Sequence, residues 1–114
     1  GLIRKMSTVD YMGVYNDGHT GRGVAFDAKM CGSKTSIPLT DIRGHQLVFL
    51  KYFEAVGGKA FFLIHFYKIY EDQAYMTPVA LVDKYFSSRK RQSIPIKEFR
   101  DIWLVPINDY LQLK

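Results

Sequence analysis

A single cysteine, Cys31, stands in a chain of 114 residues, which excludes an internal disulfide and any cysteine-rich zinc site. A reducing compartment is the simpler setting. No apolar run reaches the roughly eighteen residues needed to cross a bilayer, so no membrane partner is expected. The opening GLIRKMSTVD has no apolar core of the kind a secretory signal carries. Also missing are a P-loop, a nucleotide-binding glycine pattern and a Ser-His-Asp order. Repeats, low-complexity tracts and linkers are absent too, and this length suits one domain with a modest core. The sequence opens on Gly1 rather than Met, as either a fragment or a chain with a cloning scar would.

What the chain does have is a balance of apolar and charged residues, 47% and 24%, suited to a globular protein. Sixteen Lys and Arg outweigh eleven Asp and Glu, giving a formal charge of +5. That surplus fits a polyanionic partner such as nucleic acid, and equally a mildly basic protein without one.

DYMGVY (10–15) and GVAFDAK (23–29) read as strands, with Asp17-Gly18 and Gly21 in the hairpin loop between them. MCGSKTS (30–36) reads as a loop. A helix is expected from Thr40 or Asp41, either of which can cap it, to Gly57-Gly58. Ile42, Phe49, Phe53 and Val56 would form its buried stripe. KAFFLIHFY (59–67) is apolar enough for a strand covered on both faces. YEDQAYMTPVALVD suggests another strand after a turn at Glu71-Asp72, and LVDKYFSSRK a short helix. SSRKRQS is a basic loop, IPIKEFRDI a proline-started helical turn, and WLVPINDYLQL a final edge strand. The order is mixed α/β with a partly antiparallel sheet.

Three charges sit in this first hairpin where packed strands usually avoid them. Side chains alternate along a strand, so Asp27 and Lys29 share a face. If Tyr15 pairs with Val24, Asp10 lies opposite Lys29; slipped by two residues, it lies opposite Asp27. Either register gathers the three groups, and a one-residue slip separates them. Two adjacent carboxylates repel unless a cation lies between them. A hard ion, Mg²⁺ or Mn²⁺, resolves that conflict, and Mg²⁺ takes only one or two protein carboxylates beside its waters. Metal-bound water is a nucleophile for phosphodiester hydrolysis, with the lysine holding it or offsetting phosphate charge. The same spacing also describes a solvent-facing Asp–Lys cross-strand pair, and the spacing leaves both open.

The flanking residues add to this. Asp10, Tyr11, Gly13 and Tyr15 are followed by Asp27 and Lys29, then Lys34, Thr35, Ser36, Pro38 and Leu39, and finally His45 and Gln46. This ordered set resembles the RecU family of Holliday junction resolvases, within the PD-(D/E)xK nuclease superfamily, over positions 7–67 most closely. The resemblance implies a restriction-endonuclease-like core, a mixed β-sheet flanked by helices, in a single domain over 1–114. It implies an Mg²⁺-dependent (Mn²⁺ possible) endonuclease acting as a homodimer on four-way DNA junctions, in the cytoplasm of a bacterium or its phage. Asp10 and Asp27 would ligate the metal, Lys29 would position water, and Gln46 would orient water or phosphate, with Thr8 a weaker candidate. The family usually carries glutamate where Asp27 stands. Its N-terminal helix and protruding stalk do not fit into the nine residues before Asp10. Another nuclease of the superfamily and a non-catalytic DNA-binding or scaffold domain are the alternatives.

Lys34, Thr35 and Ser36 form a polar loop suited to phosphate, or simply to water. Arg89, Lys90 and Arg91 form a basic run suited to non-specific backbone contact, or to a solvated face. His65 in an apolar strand reads as a satisfied core histidine, and His19 as an exposed hairpin tip. His45 lies on the family's pattern, but Gln46 is the better functional candidate.

Overall fold

The computed structural model describes residues 9–16 and 21–107. Thr8, His19, the Asp17-Gly18 turn and the tail beyond Ile107 lie outside the described residues. Five strands form the main sheet in the order β1-β2-β4-β5-β7: β1 Tyr11–Asn16, β2 Gly21–Cys31, β4 Lys59–Phe66, β5 Gln73–Pro78 and β7 Leu104–Pro106. β2 and β4 run parallel, and the other pairs are antiparallel. A two-stranded sheet joins β3 (Ser36–Pro38) to β6 (Ser93–Pro95). The architecture is mixed α/β, as expected, and compatible with a restriction-endonuclease-like core.

Helix α1 (Gly44–Ala55) makes the crossover between the parallel strands, and α2 (Val79–Ser88) follows β5. Leu47 and Leu50 of α1 and Val79, Val82 and Tyr85 of α2 share one core with Ala25, Ala60, Phe62, Ile64 and Phe66. Both helices therefore cover the same face. Alternate residues of the strands, Phe26, Phe61, Leu63 and Ala74, form a second cluster on the opposite face. β4 thus buries both faces from Ala60 to Ile64, which is why its sequence is a nearly continuous apolar run. On that second face Tyr11, Phe26 and Phe61 stack across three neighbouring strands, with ring centroids 5.1 and 4.9 Å apart. Such offset pairs contribute about 0.5–1.5 kcal/mol each beyond area burial. They hold β1, β2 and β4 in one register.

Four expectations are corrected. The first helix begins at Gly44, not at Thr40 or Asp41. Pro38 leads into a 3₁₀ turn at Leu39–Asp41, and the Leu39 amide donates to Gln92 O (2.8 Å), tying the turn to the residue just before β6. Ile42 and Arg43 are then extended, so the α-helix starts only after them, with Arg43 at its N-cap. Its buried side chains are Gln46, Leu47 and Leu50; Ile42 is buried ahead of the helix, Phe49 and Phe53 pack on its flank, and Val56 is exposed. Residues 30–36 are only partly loop, because β2 runs to Cys31 and β3 starts at Ser36. The strand after Glu71-Asp72 stops at Pro78 rather than running on to Asp83. Proline has no N–H to extend the ladder and suits the residue before a helix. The expected end of α1 holds: Gly57 takes φ +103°, and the Gly58 amide donates to Phe53 O (3.0 Å).

Helix α2 ends differently. Its C-cap is Arg89, at φ 58°, a left-handed conformation that costs a side-chain-bearing residue roughly 1–2 kcal/mol.

Candidate functional site

The pairing Tyr11↔Phe26, extended by one residue, puts Asp10 opposite Asp27, the slipped register of the two that the sequence allowed. Backbone and side chains interlock there. The Asp10 amide donates to Asp27 Oδ1 (3.1 Å), and the Ala28 amide donates to Asp10 Oδ2 (2.8 Å). Each carboxylate is thus anchored by the neighbouring strand's backbone. Lys29, two residues along β2, returns to the same face and places Nζ 2.8 Å from Asp27 Oδ2. It also donates to Gln46 Oε1 (2.8 Å), at the start of α1. Four residues named from sequence, Asp10, Asp27, Lys29 and Gln46, therefore come together from one strand end, one strand and one helix.

This is not a solvated ion pair. Asp27 is 2% exposed and Gln46 9%, whereas surface pairs contribute little because water screens them. Burial pushes the Asp27 carboxyl above its ordinary 3.8; the hydrogen bond and charge of Lys29 pull it back, and the nearby Asp10 carboxylate pushes it up again. Burial and a like charge both penalise the ionised form, so a further cation at this place would be welcome.

The donor set fits a hard divalent ion. Two carboxylates, one sealed and one exposed, suit an ion that keeps several waters. No group of three His, Cys, Asp or Glu gathers anywhere among the described residues, so a soft-metal cage is not on offer there. The raised Asp27 pKa has a thermodynamic consequence. Between 3.8 and the higher folded value, the folded chain binds more protons than the unfolded one, so stability rises as pH falls through that window. Urea unfolding followed across it should show this slope in the metal-free protein and lose it in Asp27→Asn.

The other candidates each have surroundings of their own. Lys34 and Thr35 are exposed in the loop after β2, with the Thr35 and Ser36 amides both donating to Ser33 Oγ (3.1 and 3.3 Å). Arg89, Lys90 and Arg91 are exposed at the end of α2. No hydrogen bond or ion pair among the described residues links either group to Asp10 or Asp27. His65 Nε2 lies 2.7 Å from Tyr70 O, a satisfied histidine as expected. Sequence reasoning missed the Ala28 amide, a backbone group with no side-chain signal, and Ser33, whose hydroxyl organises the turn. A serine ahead of a Thr-Ser pair was the only hint of the latter.

A family model described as "Recombination protein U" matches residues 1–113. The chain is similar to the Holliday junction resolvase RecU of Lactococcus lactis subsp. lactis, with 36% identity over 100 residues, 87% of this chain and 44% of the relative. The resolvase of the same name from Staphylococcus carnosus is 38% identical over 102 residues, covering 86% and 46% of the two chains. That of Staphylococcus epidermidis is 35% identical over 101 residues, covering 86% and 46%. The chain spans less than half the length of these relatives.

Proposed function

Because the chain belongs to the RecU family, we propose that it carries the nuclease core of a divalent-metal-dependent endonuclease that resolves four-way DNA junctions. The observation that carries this reading is the fixed lysine. Its Nζ is 2.8 Å from Asp27 Oδ2 and 2.8 Å from Gln46 Oε1, beside a carboxylate pair locked together through the backbone.

Asp10 and Asp27 would hold the ion, Mg²⁺ or Mn²⁺. Bound there, it supplies a more acidic water and a Lewis acid for the phosphate oxygens. Lys29 uses two of its donors on Asp27 and Gln46 and has a third for the attacking water or a phosphate oxygen. Gln46 acts by holding that ammonium in place from the helix side. Lys34, Thr35 and Ser36, together with Arg89, Lys90 and Arg91, would contact backbone phosphates without reading sequence. Two copies of the chain would put one such site on each of two opposing strands, so a homodimer yields paired nicks. The setting is the cytoplasm of a bacterium or of a phage host. No helix of the described residues is long and apolar enough to cross a membrane.

The test compares a synthetic four-way junction with a linear duplex, each with and without Mg²⁺. Metal-dependent nicks paired across the junction support the reading. Equal cutting of the linear duplex would instead indicate a nuclease for other DNA. Junction binding with no cleavage under Mg²⁺ or Mn²⁺ would leave a scaffold domain.

A further inference from the structure

We propose that Arg43 joins the basic run at the end of α2 to the carboxylate site, so that a DNA strand reaches Asp10 and Asp27 across the start of α1. This rests on the nuclease reading above. Arg43 lies three residues before Gln46, and its carbonyl accepts from the Gln46 and Leu47 amides (3.0 and 3.2 Å). Its side chain is exposed, and among the described residues it makes no hydrogen bond or ion pair. An arginine left free this close to a lysine–carboxylate cluster is available to an incoming phosphate.

Two contacts bring the basic run alongside. The next residue, Gly44, faces Phe86: a Cβ there would lie 3.7 Å from Phe86 Cζ. Phe86 precedes Arg89 by three residues, slightly less than one helical turn. At the other end of the run, the Leu39 amide bonds to Gln92 O (2.8 Å). Segments 39–44 and 86–92 thus lie side by side, and Arg43, Arg89, Lys90 and Arg91 are all exposed along them. The nearby acids are mostly engaged elsewhere: Asp83 with Lys51 and Ser87, and Glu98 with Tyr85. Asp41 is the exposed exception. Cations therefore predominate on this path to Gln46 and Lys29. Arg89 also holds a backbone conformation that glycine would adopt without strain, so the arginine there does not serve the helix end.

The experiment measures junction binding in EDTA against salt concentration, for the unaltered chain, Arg43→Gln, Arg89→Gly and Lys51→Gln. Each lost phosphate contact should flatten the plot of log affinity against log salt by about 0.9. That change is expected for Arg43→Gln and Arg89→Gly and not for Lys51→Gln, whose lysine is paired with Asp83 at 3.2 Å. Arg89→Gly relieves the helix end, so weaker binding in it cannot come from unfolding. A slope unchanged in Arg43→Gln but flattened in Arg89→Gly overturns the Arg43 path and leaves the nuclease reading intact. Flattening in both, from a protein that never nicks with Mg²⁺, supports the path and overturns the nuclease reading. An unaltered chain that does not bind the junction overturns both.

Discussion

Asp27→Asn is expected to lower Mg²⁺-dependent nicking by at least about a thousandfold while leaving the chain folded. The loss follows from charge. Asparagine keeps the shape but offers one neutral acceptor where the proposed ion would need a carboxylate, and about 4 kcal/mol of lost transition-state stabilisation is a factor of about a thousand. The stability cost is smaller. Asp27 accepts at both oxygens, from the Asp10 amide and from Lys29, and asparagine can accept at only one. One compromised buried hydrogen bond costs about 1–3 kcal/mol, partly offset by relief of burying a charge beside Asp10. Urea unfolding at neutral pH should show a small shift in midpoint with an unchanged slope. Nicking retained within tenfold of the unaltered chain would remove Asp27 from the chemistry.

Lys29→Met has the larger structural effect. It leaves Asp27, 2% exposed, without its cation, and leaves Gln46 Oε1 without that donor. Removing one partner of a buried pair costs about 3–5 kcal/mol, and for a chain of this size the melting midpoint should fall by about 10 °C or more. Because Asp27 can escape by taking up a proton, the penalty should be smaller at pH 5 than at pH 7. The double variant with Asp27→Asn should be less destabilised than the sum of the singles, by at least about 1 kcal/mol. Additive losses with no pH dependence would mean that Lys29 stabilises the fold by packing alone. Cleavage should also fall in Lys29→Met measured well below its melting midpoint.

Why the site was legible while much around it was not comes down to range. Asp27 and Lys29 could be placed on one face because strand alternation is local and strict. Choosing between the two registers for Asp10 needed the aromatic stack from Tyr11 through Phe26 to Phe61, and the last of these lies on a strand distant in sequence. Gln46 was reached through the resemblance, not through periodicity. Periodicity instead pointed to Phe49 and Val56 and missed Leu47 and Leu50, because it fixes a stripe without fixing which stripe faces the sheet. The helix start was misplaced for a similar reason: Thr40 and Asp41 are good caps locally, but the hydrogen bond from Leu39 to Gln92 holds that turn in another conformation. The clamp from Ala28 onto Asp10 is a main-chain contact and leaves no trace in residue types.

Manganese titration followed by its paramagnetic resonance, on the unaltered chain and on Asp27→Asn, tests most directly whether Asp10 and Asp27 form a metal site. Saturable uptake of about one ion per chain, displaced by Mg²⁺ and lost in the variant, is the expected result. Equal uptake by both proteins, or none by the unaltered chain, would contradict it.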